Sequence, residues 1–243
     1  MQCLILAGGL GTRLFPATRT VPKVLVEVAG RPFAHWQLEW LASEGVERVV
    51  YSVGHLGEMI EAEIGDGARW GVAVTYVDEG RQRLGTGGAL RLAVDAGALD
   101  DTFFVLYGDS YLSVDLSAVE DDFCARAPDA LMTVYRNAGR FETNNAVVAH
   151  GMVTHYEKGL AHPPPEMQFV DYGLSVLRGA VVVELVPAGG ASDLADAFSA
   201  LSAAGRLAGF EASTRFFEIG SPSGLTDLER HLDNSADEVH HRQ

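Results

Sequence analysis

Apolar runs alternate with amphipathic segments along the first half of the chain. Four runs have the length and composition of buried strands: CLILA (3–7), RVVYSVG (48–54), VAVTYV (72–77) and TFFVLYG (102–108). Between them apolar positions recur at helical spacing, and these segments are the face formed by Phe33, Trp36, Trp40 and Leu41, LGEMIEAEIG (56–65) and GGALRLAVDAG (87–97). This alternation predicts right-handed crossovers and a parallel, doubly wound α/β sheet.

The pattern becomes more strand-rich after residue 130. The predicted strands are ALMTVYR (130–136), a hairpin over 145–159 that turns at Gly151, FVDYGLSVL (169–177) and two short strands within 206–220. The segment LAHPPPEM (160–167) is expected to be a loop.

Two helices are expected near the end of the chain. Ser192 is the expected cap of a helix whose apolar face is Leu194, Ala197, Phe198 and Leu201. Ser221 followed by Pro222 is a second helix start. Residues 236–243 are expected to fray, with His240 and His241 solvated rather than bound to a metal.

Charge and cysteine content narrow the partners and the compartment. The 18 Lys and Arg against 33 Asp and Glu give a formal net charge of −15, so a nucleic acid or an anionic membrane is not the expected partner. The start MQCLILAGG lacks a cationic leader pattern, and no apolar run is long enough to span a membrane. Cys3 and Cys124 have no metal-site spacing and are expected to be buried free thiols, which favours the cytoplasm.

The loop after the first strand carries the first chemical signal. In LILAGGLGTR (4–13), three glycines and an arginine follow a buried strand, as an anion cradle of backbone N–H groups requires. A tight strand-to-helix turn is the alternative. The loop lacks the Walker motif, and Leu14 stands where a dinucleotide fingerprint has its third glycine.

The longer segment GGLGTRLFPATRTVPKVLVEVAGRP (8–32) resembles the signature of sugar-1-phosphate nucleotidyltransferases. It departs from that signature at Val24, where many members have a second proline. Further resemblances cover nearly the whole chain, and they are LGTGGALRLA (84–93), LYGDSY (106–111), YEKG (156–159), FVDYGLSVL (169–177) and FFEIGSPSGL (216–225). The chain is most similar to D-glycero-D-manno-heptose 1-phosphate guanylyltransferase-like enzymes, with N-acetylmuramate 1-phosphate uridylyltransferases as near neighbours.

The resemblance implies a fold and an organisation. The expected fold is a Rossmann-like, doubly wound mixed α/β sheet of the nucleotide-diphospho-sugar transferase type, with a small sugar-binding subdomain. One domain, 1–243, would comprise a nucleotide-binding half (about 1–112) and a sugar-phosphate-binding half (about 113–235). The implied reaction is Mg²⁺-dependent transfer of a nucleotidyl group from a nucleoside triphosphate to a sugar 1-phosphate.

The resemblance also implies roles for individual residues. Arg13 and Lys23 would be catalytic, holding the departing pyrophosphate and bridging phosphate oxygens. Asp109 and Glu218 would bind Mg²⁺, although the family's usual second ligand is aspartate. The nucleotide would be bound by Leu6, Ala7, Gly8, Gly9, Gly11, Thr12, Arg13, Glu79, Gly85 and Thr86. The sugar phosphate would be bound by Asn145, Glu157, Lys158 and Asp171.

Substrate identity is the least determined part of this interpretation. Glu79 favours GTP, because one carboxylate can accept both donors on the edge of guanine. Together with the resemblance to heptose 1-phosphate guanylyltransferase-like enzymes, this makes GTP and D-glycero-D-manno-heptose 1-phosphate the expected substrates. The alternatives are a uridylyltransferase acting on N-acetylmuramate or hexose 1-phosphate, a catalytically idle nucleotide-sugar sensor, and a dinucleotide oxidoreductase, which the missing third glycine disfavours.

Overall fold

The computed structural model describes residues 1–80 and 82–240, with side chains described as far as Asp233. The strands within these residues are β1 Gln2–Leu6, β2 Glu27–Val28, β3 Arg31–Pro32, β4 Arg48–Val53, β5 Ala73–Asp78, β6 Thr102–Tyr107, β7 Ser110–Tyr111, β8 Ala130–Arg136, β9 Ala146–Ala149, β10 Met152–Tyr156, β11 Phe169–Arg178, β12 Leu207–Ala212 and β13 Phe217–Glu218. The α-helices are α1 Phe33–Ser43, α2 Gly57–Ile64, α3 Gly85–Asp95, α4 Leu116–Arg126, α5 Gly179–Leu185, α6 Leu194–Ala203 and α7 Pro222–His240.

One mixed sheet of nine strands organises the molecule, in the order β5-β4-β1-β6-β11-β8-β12-β10-β9. The first four of these strands are parallel, as the alternating pattern predicts. β11 then pairs antiparallel with both β6 and β8. The strands of the later half therefore extend the sheet of the first half directly.

Helices cover both faces of this sheet, which explains the unbroken apolar runs in the central strands. Cys3 and Ile5 of β1 face a core formed with α1, α2 and α4, whereas Leu4 faces a core formed with α3, α5 and α6. The side chains of Cys3, Leu4 and Ile5 are all fully buried. The doubly wound α/β class is confirmed. Open α/β sheets generally bind ligands at the carboxyl ends of their parallel strands, which here are the ends of β1, β4 and β6.

Several local expectations are confirmed and others are wrong. The β9–β10 hairpin turns at His150 and Gly151, both at positive φ. The cap of α6 is Asp193, whose carboxylate accepts from Ala195 N–H at 3.0 Å, whereas Ser192 N–H donates to Leu84 C=O. Cys124 is exposed, because α4 turns Val119 and Phe123 inward instead.

The chain end is more helical than expected. Ser221 Oγ accepts from Gly224 N–H at 3.1 Å at the start of α7. That helix continues through 236–240, where a frayed tail is expected, while His241 and the two residues after it lie outside the described residues. Among the described helices, each is too short or too polar to cross a membrane.

Candidate active site

Close backbone approach brings the ends of β1 and β6 together. A Cβ at Gly108 would lie 2.6 Å from Leu6 C=O and 3.3 Å from Ala7 Cα, so a side chain does not fit there. Gln37 of α1 donates to Tyr107 C=O and Ser110 C=O and fixes the turn after β6. Asp109 is thereby held beside the glycine-rich loop.

The glycine-rich loop over residues 8–13 leaves much of its backbone open. Gly11 has a φ of +61°, and Thr18 Oγ1 donates to its carbonyl at 2.7 Å. No described atom lies within 4 Å of the place where a Cβ of Gly9 would be. Thr12 and Arg13 are exposed in the short 3₁₀ helix that follows. The loop can thus present N–H groups and a guanidinium to an anion.

Four charged side chains meet beside this loop. Lys23 forms an ion pair with Asp109. The β7–β13 ribbon pairs Glu218 with Ser110, and Ile219 N–H donates to Asp109 C=O at 2.9 Å. Gly220 completes the arrangement, because a Cβ there would lie 2.9 Å from an Arg13 guanidinium nitrogen and 3.4 Å from Lys23 Nζ. We call Arg13, Lys23, Asp109 and Glu218 the reaction cluster.

Glu218 is the titratable group that this cluster perturbs most clearly. Burial raises the pKa of Glu218 to about 8, and the nearby carboxylates of Asp109 and Glu142 add to the effect, against the opposing charges of Lys23 and Arg13. Two carboxylates in low-polarity surroundings favour binding of a cation between them.

The donor set of the reaction cluster fits magnesium. Mg²⁺ binds through one or two carboxylates together with substrate phosphates and water. Within the described residues, no group of three or more His, Cys, Asp or Glu side chains is placed to hold a metal by protein ligands alone. Asp109 and Glu218 are therefore the residues of this cleft that could hold Mg²⁺ jointly with phosphate oxygens.

Glu79 lies against the glycine-rich loop. A Cβ at Gly8 would lie 2.2 Å from Glu79 Oε1, and Glu79 Oε2 accepts from Leu84 N–H at 3.1 Å. These contacts place the Glu79 carboxylate close to the start of α3. Burial raises the pKa of this carboxyl group. The carboxylate thus lies between the glycine-rich loop and the start of α3.

Gly85 and Thr86, at the start of α3, approach the segment before α6. A Cβ at Gly85 would lie 2.5 Å from Ser192 C=O. Thr86 Oγ1 donates to Asp193 Oδ1 and accepts from Leu194 N–H, both at 2.9 Å. The glycines at the start of α3 therefore allow that helix to pack closely on the segment before α6.

A second set of polar side chains lies around Asp171, close to Tyr107. Asp171 is half-buried on β11, and Gly173 N–H donates to its Oδ1 at 2.9 Å. Asn145 Oδ1 accepts from Asp171 N–H at 2.9 Å. Burial raises the pKa of Asp171 to about 6, with opposing interactions from Tyr107 and Tyr156.

Lys158 reaches the same region from the end of β10. Its Nζ lies 3.1 Å from Asp193 Oδ2, with both side chains about half exposed. Glu157 is exposed and pairs with His155 at 3.4 Å. We call Asp171, Lys158, Asp193, Tyr107 and Tyr156 the acceptor cluster. Glu157 is connected to this region through its backbone, since its N–H donates to Asn145 C=O at 2.9 Å.

Sequence reasoning did not identify Arg215, Glu142, Asp193 or the two tyrosines. The Arg215 guanidinium lies between the rings of Phe141 and Phe217, and it lines a pocket with Arg13 and Glu218. A lone arginine before FFEIG carries no spacing signal, so the sequence had no means of placing it there. Asp193 was detectable in principle, since aspartate is as good a helix cap as Ser192.

The family model described as Nucleotidyl transferase matches residues 2–233. The chain is 33% identical over 217 residues to a glucose-1-phosphate thymidylyltransferase of Streptomyces griseus, which covers 85% of this chain and 58% of the relative. It is 31% identical over 226 residues to a mannose-1-phosphate guanyltransferase of Yarrowia lipolytica, covering 91% of this chain and 61% of the relative. The chain thus spans about three fifths of the length of these two curated relatives.

A solved structure has the same fold. The crystal structure of HddC from Yersinia pseudotuberculosis, complexed with GMP-PN, superimposes with a TM-score of 0.78 at 23% identity, covering 95% of this chain and 99% of that chain. This likeness confirms the mixed α/β architecture.

Proposed function

Because the chain belongs to the nucleotidyl transferase family, we propose that it transfers a nucleotidyl group from a nucleoside triphosphate to a sugar 1-phosphate. The observation that carries this proposal is the reaction cluster, in which Lys23 and Arg13 lie against Asp109 and Glu218 beside an open glycine-rich loop. A phosphate oxygen of the sugar 1-phosphate attacks the α-phosphorus. The bond from the α-phosphorus to the bridging oxygen breaks, and pyrophosphate leaves with that electron pair.

The protein's contribution to this step is positioning and positive charge. Backbone N–H groups of the loop cradle the triphosphate, and Arg13 binds the departing pyrophosphate. Lys23 leaves Asp109 to contact phosphate oxygens at the reacting centre, where its low exposure strengthens the interaction. Lys158 binds the phosphate of the acceptor.

Asp109 and Glu218 would hold the Mg²⁺ ion that the reaction uses. When bound, such an ion neutralises charge on the phosphates and orients them for in-line displacement. Glutamate at position 218 provides an oxygen ligand of the same type as aspartate, which supports an active enzyme over an idle sensor.

Glu79 supports GTP as the donor nucleotide. Leu84 N–H and the Ser52 hydroxyl interact with the Glu79 carboxylate, which leaves two lone pairs for the two donors of guanine. The guanyltransferase relative from Yarrowia lipolytica agrees with this choice, whereas the Streptomyces griseus relative is a thymidylyltransferase. We propose D-glycero-D-manno-heptose 1-phosphate or a related manno-configured sugar as acceptor.

The decisive experiment is a matrix of nucleoside triphosphates against sugar 1-phosphates, read by pyrophosphate release. We expect release with GTP and a manno-configured sugar 1-phosphate. Binding of both substrates without release under any combination would identify a sensor. Release that prefers UTP, CTP or dTTP would leave the reaction class intact and overturn the base assignment.

A variant of Glu79 tests the base assignment directly. Leaving a buried donor of guanine unpaired costs about 1–3 kcal/mol, so Glu79→Ala is expected to lower kcat/KM for GTP roughly tenfold to a hundredfold. UTP should change much less, because the triphosphate contacts are common to all nucleotides. Equal losses for GTP and UTP would contradict a role in base selection.

A further inference from the structure

The acceptor cluster carries more carboxylates than ammonium groups. Asp171 and Asp193 contribute two carboxylates, against the one ammonium of Lys158. Asp171 is half-buried, and Gly173 N–H and the tyrosines hold it in place. The formal excess of these groups is thus one negative charge before any substrate arrives.

Lys158 is already paired with a carboxylate before any acceptor binds. Its Nζ lies 3.1 Å from Asp193 Oδ2, and Asp193 is itself fixed by Thr86 and Ala195 N–H at the start of α6. The phosphate of the acceptor competes with Asp193 for this lysine. A further negative group on the sugar ring would then face the carboxylates of Asp171 and Asp193 while Lys158 is engaged by the phosphate.

Hydroxyl groups, in contrast, match what the acceptor cluster offers. The carboxylate of Asp171, to which the phenols of Tyr107 and Tyr156 donate, accepts hydrogen bonds, and Asn145 adds a side-chain amide. Burial and neighbouring carboxylates raise the pKa of both tyrosines, so both phenols stay protonated and uncharged. A ring with several hydroxyls and no further charge satisfies these groups.

We propose that the acceptor is a sugar 1-phosphate whose ring bears only uncharged substituents, and that electrostatic repulsion by the acceptor cluster excludes acidic sugars. This inference rests on the proposed nucleotidyl transfer and specifies its substrate class. It separates manno-heptose and hexose acceptors from N-acetylmuramate, which bears a lactyl carboxylate, and from uronic acids.

Glucose 1-phosphate and glucuronic acid 1-phosphate form a matched pair that differs by the carboxylate at C6. With the preferred nucleotide, we expect kcat/KM for the neutral sugar to exceed that for the acidic sugar by at least about thirtyfold. Raising the salt concentration from about 0.05 to 0.5 M should shrink this ratio at least threefold, since screening weakens charge repulsion but not a steric clash.

The Asp171→Asn variant removes one carboxylate at nearly constant volume, and it should lower the ratio at least threefold. Glu184→Gln is the control, because Glu184 is an exposed carboxylate paired with Arg206, and that arginine binds Asp129 before the start of β8, away from the acceptor cluster. It should leave the ratio unchanged. Equal kcat/KM for the two sugars, or a ratio that neither salt nor Asp171→Asn alters, would overturn the proposal.

Binding of the same two sugars tests the proposal in the absence of turnover. Each sugar is titrated in a calorimeter into protein saturated with a non-hydrolysable nucleotide. We expect the neutral sugar 1-phosphate to bind more tightly by a similar factor, and equal affinities would overturn the inference. Absence of pyrophosphate release with any sugar 1-phosphate, alongside selective binding of neutral ones, would instead refute the proposed function and leave the binding preference standing.

Discussion

Two lysine–aspartate contacts lie in the proposed active cleft, and they differ in their exposure to solvent. The side chains of Lys23 and Asp109 are 14% and 23% exposed, whereas those of Lys158 and Asp193 are 52% and 47% exposed. Charge interactions strengthen as water is excluded, and exposed pairs contribute little to stability. The first pair is therefore suited to stabilising a transition state, and the second to exchanging partners when a substrate binds.

The groups around the two lysine–aspartate pairs support the same assignment of roles. Asp109 lies next to Glu218, whose pKa burial raises to about 8, so the reaction cluster concentrates charge that a bound cation would relieve. Asp193 has a lowered pKa, because hydrogen bonds from Ala195 N–H and Thr86 outweigh the effect of its burial. Ala195 N–H and Thr86 remain as hydrogen-bond donors to Asp193 when Lys158 leaves it.

The largest effect is expected from the carboxylates of the reaction cluster. Asp109→Asn should lower turnover by about a thousandfold or more, since a bound metal ion supplies several kcal/mol of transition-state stabilisation. EDTA should abolish activity and Mg²⁺ restore it.

Glu218→Gln should raise the Mg²⁺ concentration needed for half-maximal rate, whereas Glu218→Asp should retain much of the rate. Wild-type behaviour of Glu218→Gln at limiting Mg²⁺ would show that Glu218 is not a ligand.

Lys23→Ala tests whether the less exposed pair is a catalytic one. Loss of a shielded cation at the transition state costs about 3–4 kcal/mol, so kcat should fall by roughly two orders of magnitude or more. Pyrophosphate release measures the rate, and a thermal melt checks that folding persists. A steady-state rate near that of the wild type would remove Lys23 from the mechanism.

The sequence predicts the parts of the fold and of the site that depend on residues close together in the chain, and it does not predict those that depend on distant residues. Three residues of the reaction cluster lie in local motifs: GGLGTR follows a buried strand, PK comes after it, and Asp109 lies just past the end of another strand of the parallel half. The antiparallel entry of β11 between β6 and β8 depends on long-range pairing, which local periodicity does not encode.

The acceptor cluster shows the same limit at the level of single residues. Asp171 stood out as a carboxylate in an apolar strand, and Lys158 stood out by its motif. Their connection through Asp193 and Thr86 was missed, because it requires α3 and α6 to meet, and residues 86 and 193 are 107 positions apart. Ser192 and Asp193 are adjacent and both suit a helix N-cap, so the sequence did not show which of them makes the contact.

Lys158→Ala should have a smaller effect than Lys23→Ala, and of a different kind. A charge-assisted hydrogen bond at a half-exposed site contributes about 1–2 kcal/mol, so KM for the sugar 1-phosphate should rise roughly tenfold. The KM for nucleotide and the melting temperature should change little. A fall in kcat as large as that of Lys23→Ala would erase the distinction between the two pairs.

The smallest effect is a pH dependence of stability that separates Asp171 from Asp193. Burial raises the pKa of Asp171 to about 6, so between roughly pH 4 and 6 the folded protein keeps a proton that the unfolded chain has released. The stability that protonated Asp171 contributes is therefore lost as the pH rises toward 6. Relative to Asp171→Asn, the wild type should lose on the order of 1 kcal/mol across this window and show no further change above it.

Asp193→Asn provides the matched comparison, because asparagine also caps helices and the pKa of Asp193 is lowered. Its stabilising contribution is present above the pKa of the unfolded chain and is lost as the pH falls through the folded value, which is the opposite sign. Thermal melts of the three proteins from pH 3 to 8 measure both differences. If the stability differences of both variants changed with pH in the same direction, the pKa values of Asp171 and Asp193 would be shifted in the same direction. The acceptor cluster would then lack the difference between the two carboxylates on which the exchange of partners by Lys158 depends.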